Sequence, residues 1–279
     1  MDTMKVLYFA QHFCTPAGSA GIRPYGMSRR LTDKGHHVTV VCGSYLGSVT
    51  GLTGPFSNGK RCGYVDGIEV IEFDLNYANS DSFISRFSTF MKYVFKSLKL
   101  VFSERYDLVF CTSTPLTAGI PGIAARWLRN KPFVFEVRDL WPELPKEMGV
   151  IKNPVILGLM SILEWVSYHS AHHVIALSPG IVKGVEKRGI SKSYISLIPN
   201  GCDLDIFSVE MSGWRPVQVR ESDFLVLFAG THGLANGLHS VLDAASELKD
   251  RGRLDIKFLL VGQGKLKNDL IDRSKREGL

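Results

Sequence analysis

Residues 133–143 read Phe133-Val134-Phe135-Glu136-Val137-Arg138-Asp139-Leu140-Trp141-Pro142-Glu143, and their order points to the fold class. The run from Pro132 to Val137 is short, apolar and rich in β-branched and aromatic residues, as a buried parallel strand should be. Charge arrives at the strand's carboxyl end with Glu136, Arg138, Asp139 and, beyond Trp141-Pro142, Glu143. In open α/β sheets ligands bind in the crevice outside the carboxyl ends of the strands. These ionisable groups and Trp141 therefore mark a candidate site. An ion-paired loop between strand and helix would look the same in sequence.

Working outward, strands and helices alternate along the chain. Lys5–Ala10 and His37–Cys42 read as strands, with an amphipathic helix at Ile22–Lys34 between them. The turn Thr15-Pro16-Ala17-Gly18-Ser19-Ala20-Gly21 is glycine-rich but lacks G-x-G-x-x-G and the P-loop Lys-Ser/Thr. Its small residues let a backbone approach a ligand; a plain flexible turn reads equally well. Residues 43–67, with seven glycines, read as one long loop, and Ile68–Phe73 as a strand. Strand Asp107–Cys111 and helix Leu116–Leu128 lead into the opening strand. Helix Val155–Ser170, strand His173–Leu177, helix Pro179–Lys187 and strand Tyr194–Ile198 follow. Such alternation means a doubly wound parallel sheet with helices on both faces. After an irregular stretch at 202–222, two more βα units start at Phe224–Phe228 and Asp255–Val261. Their helices are Leu238–Lys249 and a polar segment running to Glu277. Two strands do not make a self-sufficient sheet, so the second domain is expected to be incomplete. The expected division is 1–203 and 204–279.

Helix 83–102 stands apart. Phe83, Ile84, Phe87, Phe90, Met91, Val94, Phe95, Leu98, Val101 and Phe102 recur at three and four residues. Arg86, Lys92, Lys96 and Lys99 lie off that stripe. Two readings stand: a core helix with a solvated basic face, or a basic amphipathic helix touching an anionic membrane.

Composition excludes several classes. The 45% hydrophobic and 22% charged shares are those of an ordinary globular protein. Net charge +6 suits an anionic partner. Nucleic acid is not expected, because the basic excess comes without a recognition pattern. Five cysteines without C-x-x-C argue against a disulfide framework or zinc site. His169, His172 and His173 have an H-x-x-H spacing without a carboxylate motif, so no metal is expected there. No G-x-S-x-G elbow supports a hydrolase. The chain opens directly on a strand, and its longest clean apolar run, Val155–Leu163, is far short of a span. A cytoplasmic protein without a secretory signal is expected, with possible peripheral attachment to the inner face of the cell membrane.

The stretch FEVRDLWPE, with Gly149-Val150-Ile151-Lys152-Asn153-Pro154 after it, resembles the first domain of family 4 glycosyltransferases. The nearest subgroup is that of O-antigen and capsule N-acetyl-L-fucosamine transferases. Gly35-His36-His37-Val38-Thr39-Val40, Ser178, Pro199-Asn200-Gly201-Cys202-Asp203, Gly230…Gly237-Leu238 and Gly262-Gln263-Gly264 match in order and spacing. The resemblance implies the GT-B architecture of two Rossmann-like domains. It also implies retaining, metal-independent transfer from a nucleotide-diphosphate sugar, UDP-linked, to a lipid-diphosphate-linked saccharide in surface polysaccharide assembly. Catalytic roles would fall to Glu136, Arg138 and Asp139. The sugar donor would meet Gly18, Gly21, Arg23, Gly230, Thr231, His232, Gly233, Asn236 and Gly237, and the acceptor Trp141, Glu143 and Asn200. The chain departs from the broad family at Thr231 and Asn236, where the family carries Arg and Lys. No Glu-x7-Glu pair follows Gly262. These 279 residues alone are therefore expected to transfer no sugar and to bind nucleotide sugar weakly. Alternatives are an inactive sugar- or nucleotide-binding remnant and a nucleotide-sugar epimerase of the same fold.

Overall fold

Parallel strands buried on both faces need covering helices and strand-to-strand crossovers, and the alternation of elements supplies both. The computed structural model describes residues 2–45, 47–75, 83–208 and 213–279. It divides into two compact units, Met1–Gly201 and Cys202–Leu279.

In the first unit the elements run β1 (Lys5–Phe9), α1 (Arg23–Asp33), β2 (His37–Gly43), β3 (Lys60–Val65), β4 (Ile68–Phe73) and α2 (Phe83–Ser103). Then come β5 (Leu108–Thr112), a 3₁₀ turn at Leu116–Gly119, α3 (Ile120–Leu128), β6 (Phe133–Val137) and α4 (Glu143–Glu147). The unit closes with α5 (Pro154–Ser170), β7 (His173–Ala176), α6 (Pro179–Lys187) and β8 (Ile195–Leu197). One sheet joins them in the order β3-β4-β2-β1-β5-β6-β7-β8. Every neighbouring pair is parallel except β3–β4. Strand order reverses between β1 and β5, the switch point where crossovers leave in opposite directions and a crevice opens.

Two cores flank the sheet. Leu7, Phe9, Tyr93, Val101, Phe135 and Tyr168 belong to the one beneath α2, α3, α5 and α6. Tyr8, Val40, Val70 and Phe110 pack against Met27 and Leu31 of α1 in the other. Local caps fit the boundaries. Asn153 Oδ1 accepts from Val155 N at 2.9 Å ahead of α5, and Ser178 Oγ from Ile181 N at 3.2 Å ahead of α6.

The loop expected over 43–67 is corrected. Its second half forms β3, an antiparallel edge strand turned onto β4 through Asp66 and Gly67, both at positive φ. An edge strand with a solvated face carries no apolar run, so its partner determines it. Arg61 pairs with Glu72 across this ladder at 2.8 Å. The single helix expected at 116–128 divides into the 3₁₀ turn and α3. For α2 the structure buries Tyr93, Val94, Leu100 and Val101 but leaves Phe87, Phe95 and Phe102 exposed. The apolar stripe is thus wider than the arc the core can cover. The side chains of Phe83 and Ile84 lie outside the described residues.

In the second unit a short helix α7 (Leu204–Phe207) precedes β9 (Phe224–Ala229), α8 (Leu238–Asp250), β10 (Ile256–Val261) and α9 (Lys267–Glu277). Residues 209–212, part of the stretch read as irregular, lie outside the described residues. β9 and β10 pair in parallel. Leu238, Leu242 and Leu270 form the small core beside them.

Helix-to-sheet packing is tightest at Gly122, where a Cβ would meet Phe133 Cε2 at 2.1 Å. Gly158, in the middle of α5, has nothing within 4 Å of the same position. Gly122→Ala should therefore cost roughly 1–3 kcal/mol by overpacking. Gly158→Ala should stabilise by about 0.5–1 kcal/mol through helix propensity. Urea unfolding of the two variants checks both signs.

Candidate functional site

The pleat of β6 sends Phe133, Phe135 and Val137 into the core beneath α3 and α5, and Val134 toward α1. Glu136 shares the α1 side by alternation. It is 0% exposed, and a buried carboxylate needs partners on both oxygens. Arg23 Nε donates to its Oε1 at 2.9 Å and Thr112 Oγ1 to its Oε2 at 2.6 Å. The rest of the Arg23 guanidinium reaches the chain beyond β8. Nη2 donates to Ile198 O at 2.7 Å, and Nη1 to Pro199 O at 2.8 Å and Asn200 Oδ1 at 3.4 Å. Glu136, Arg23 and Asn200 thus form one bonded assembly.

Arg138 and Asp139 emerge at the carboxyl end of β6, both half-buried. Ser113 N donates to Glu136 O at 2.8 Å and Arg138 N to Ser113 Oγ at 2.9 Å, which joins the ends of β5 and β6. Thr114 stands at φ +113, a region β-branched residues rarely adopt. Its Oγ1 donates to Asp139 Oδ2 at 3.3 Å. The Arg138 guanidinium lies beside the glycine turn, with Nη2 3.6 Å from where a Gly21 Cβ would stand. Gly18 faces the other way, and its Cβ would strike Cys14 Sγ at 2.3 Å. Thr15 N donates to Val49 O at 2.9 Å and Ser19 N to Gly47 O at 3.2 Å, so this turn leans on the loop after β2.

Two side chains absent from the sequence-based site follow β1. Gln11 is buried, and its Oε1 has no hydrogen-bond partner among the described residues. Burial, with the Arg138 and Arg86 cations adding to it, holds the His12 imidazole down at about 4, so it is neutral at pH 7. Neither residue lies in a motif; only the reversal of strand order brings the end of β1 beside β5 and β6.

Trp141 packs partly buried against the α5-side core. Glu143, exposed at the start of α4, accepts from Arg188 Nη2 at 3.2 Å. The same Nη2 lies 2.6 Å from Glu164 Oε2, while Tyr168 Oη donates to Glu164 Oε1 at 2.9 Å. Glu164 is 1% exposed. Burial pushes its carboxyl up to about 7; Tyr168 and Arg188 oppose the shift and Glu143 adds to it.

In the second unit two glycine turns meet. Gly230 N donates to Val261 O and His232 N to Gln263 O, each at 2.9 Å. Cβ atoms at Gly262 and Gly264 would strike Gly230 O at 1.8 Å and His232 O at 2.4 Å. These glycines exist because backbone passes backbone. His232 is 3% exposed, and neither ring nitrogen has a partner among the described residues. Thr231 and Asn236 are exposed, with Asn236 Nδ2 donating to Thr231 O at 2.5 Å. Gly233 is half-buried, and Gly237 takes φ +58 just ahead of α8.

Among the described residues no group of three or more His, Cys, Asp or Glu could hold a metal ion. His169 bonds Trp165 O at 2.9 Å, His172 Nδ1 accepts from Phe133 N at 3.1 Å, and His173 bonds Ser196 Oγ at 2.8 Å. No described helix is long and apolar enough to cross a membrane.

A doubly wound α/β unit with polar groups gathered at its switch point, followed by a second βα unit, is the GT-B arrangement of glycosyltransferases. Residues 21–206 match the model of Glycosyltransferase Family 4. The chain belongs to that family, whose members are transferase enzymes. Solved structures agree in fold. Sucrose-phosphate synthase from Thermosynechococcus elongatus superposes with TM-score 0.71 at 16% identity, over 99% of this chain and 68% of that one. Trehalose-6-phosphate from E. coli bound with UDP-2-fluoro glucose gives 0.67 at 10%, over 98% and 69%. A structure of a UDP-N-acetylglucosamine 2-epimerase gives 0.51 at 13%, over 92% and 63%. No curated protein matches the chain.

Glu136→Ala strips Arg23 of its carboxylate and should destabilise the protein by roughly 3–5 kcal/mol in denaturant unfolding. Glu164 predicts a pH effect. Its folded value is raised, so its stabilisation is full below about 4.5 and is lost as pH rises through about 7. His12, with a depressed value, acts in the opposite sense. The stability of Glu164→Gln relative to the parent should therefore rise by on the order of 2 kcal/mol between pH 4.5 and 8, read from thermal melts across that range.

Proposed function

We propose that the protein transfers a sugar, with retention, from a nucleotide-diphosphate donor to a lipid-diphosphate-linked saccharide in bacterial surface polysaccharide assembly. The observation that carries this reading is the meeting of Arg138, Asp139 and the Gly21 turn at the switch point of a family 4 domain. A guanidinium beside a glycine turn offers charge and open backbone to a phosphate. Asp139, held by Thr114, is suited to orient an acceptor hydroxyl. Glu136, buried and doubly bonded, acts by positioning Arg23 and the 198–200 segment. Trp141, Glu143 and Asn200 border the acceptor side.

The donor's anionic end would lie against the turn Gly230, Thr231, His232, Gly233, with Asn236 and Gly237 leading into α8. The uncapped first N–H groups of α8 favour an anion there. A UDP-linked donor is supported by the E. coli relative, whose structure holds UDP-2-fluoro glucose. An N-acetyl-L-fucosamine donor follows from subgroup resemblance alone. Transfer would need no metal and would take place at the cytoplasmic face of the cell membrane. An epimerase shares this fold, and product analysis separates the two reactions.

The test is transfer of label from UDP-N-acetylhexosamine donors into organic-soluble lipid-linked acceptors. Measured on a chain that spans the length of its structural relatives, Arg138→Ala and Asp139→Asn should each lower turnover about 10²-fold or more with unchanged thermal melts. Unchanged turnover in both would remove the pair from the site. A UDP-sugar converted to its epimer, with no labelled lipid, would replace transfer by epimerisation.

A further inference from the structure

The helix layer over one side of the sheet is itself amphipathic on its outer surface. α3 lies between α2 and α5 and packs against both. Trp127 Nε1 donates to Ser170 Oγ at 2.9 Å, and Arg129 Nη1 donates to Val101 O at 3.1 Å and Phe102 O at 2.8 Å. The buried sides of the three helices share one core. Outward, α5 presents Val155, Leu159, Ile162 and Trp165, each at least half exposed. Their spacing of four, three and three residues makes one ridge along a helical face. Phe95 and Phe102 on α2 and Trp127 at the end of α3 are also at least half exposed. So many large apolar side chains on adjoining helices exceed the scatter of single exposed residues normal on a monomer.

The charges on this layer are one-sided. Lys92 and Lys99 stand exposed on α2, Lys152 just ahead of α5, and Arg126 over the Trp127 ring on α3. Within α2, α3 and α5 the sequence has a single carboxylate, Glu164, buried against Arg188 and Tyr168, and the exposed Glu104 stands one residue past the end of α2. This decides between occupants. In a two-fold pair of chains an isologous patch meets itself, and here Lys92, Lys99, Arg126 and Lys152 would face their own kind, with the exposed Glu104 at one edge beside them. An anionic bilayer supplies both an apolar phase for the ridge and negative charge for the lysines.

We propose that the outer face of α2, α3 and α5 is a docking surface for an anionic lipid bilayer. The α5 ridge and the outward aromatic rings enter the headgroup boundary, and Lys92, Lys99 and Lys152 meet the lipid charge. The surface extends well beyond the α2 stripe legible in sequence and is independent of sugar transfer. Within α2, Lys96 is not part of it: its Nζ donates to Gly59 O at 2.9 Å and lies over the Phe73 ring.

Flotation with vesicles of phosphatidylglycerol and phosphatidylethanolamine, against neutral phosphatidylcholine vesicles, tests this. The protein should float with the anionic vesicles only and detach at high salt. Lys92→Glu with Lys99→Glu should lower partitioning more than tenfold. Leu159→Asp with Ile162→Asp should do the same through the apolar ridge. Melting temperatures should stay near the parent's, because all four side chains are solvent-facing. Failure to float with anionic vesicles at low salt would overturn the proposal. So would floating that neither pair of substitutions weakens, or a dimer in sedimentation that only Leu159→Asp with Ile162→Asp dissolves and that binds no lipid.

Discussion

The carboxyl edge of the first sheet depends on the buried pair between Arg23 and Glu136. One guanidinium connects four places far apart in sequence: the first turn of α1, the end of β6, the Thr112 hydroxyl through Glu136, and the carbonyls at 198 and 199. A buried ion pair is weak evidence of net stabilisation, since desolvating both charges costs nearly what their attraction returns. Its worth is geometric. With every acceptor in place, Arg23 has one orientation, and the ends of α1 and β6 and the chain leaving β8 hold one arrangement about it. Of the three residues given catalytic roles by the family resemblance, Glu136 is thus the one held fully buried.

Around that pair the site is layered. Ser113 and Thr114 at the end of β5 hold the Arg138 backbone and the Asp139 side chain. The two charged side chains are presented by groups without charge of their own. Strain collects here too, in the positive φ of Thr114. Backbone strain of this kind persists where the surroundings over-determine a conformation and gathers at functional sites. Polar groups buried under α1 and after β1, His12 and Gln11 among them, make this edge less like a core and more like the floor of a binding crevice. The opposite, amino end of the sheet closes on helix-to-helix contacts such as that of Trp127 with Ser170.

Much of this was legible along the chain. The strands and helices of the first unit follow from hydrophobic period and from the alternation of apolar runs, and the structure adds the local caps, Asn153 ahead of α5 and Ser178 ahead of α6. Helix 179–187 has the same bounds in sequence and structure. The glycine pair Gly262 and Gly264 was visible as a motif, and the contact with Gly230 and His232 explains why glycine stands there. β3 was not legible, because a polar edge strand has no period of its own. Nor was α4, whose five residues are too few to show a helical period.

The sequence by itself determined the class: alternating βα units, a doubly wound sheet, family 4 motifs in order, and charge at the end of β6. Those are local properties, set by which residues extend or coil the backbone and which face they bury. Tertiary structure alone decided what each charge does. Glu136 turned inward because the pleat places alternate residues on opposite sides of the sheet, and Arg138 outward because the strand had ended. His12 joined the site because β1 and β5 lie side by side at the reversal of strand order. The outer face of α2, α3 and α5 became one surface because three crossovers fall on the same side of the sheet. A chain records neighbours in sequence; burial and charge depend on neighbours in space.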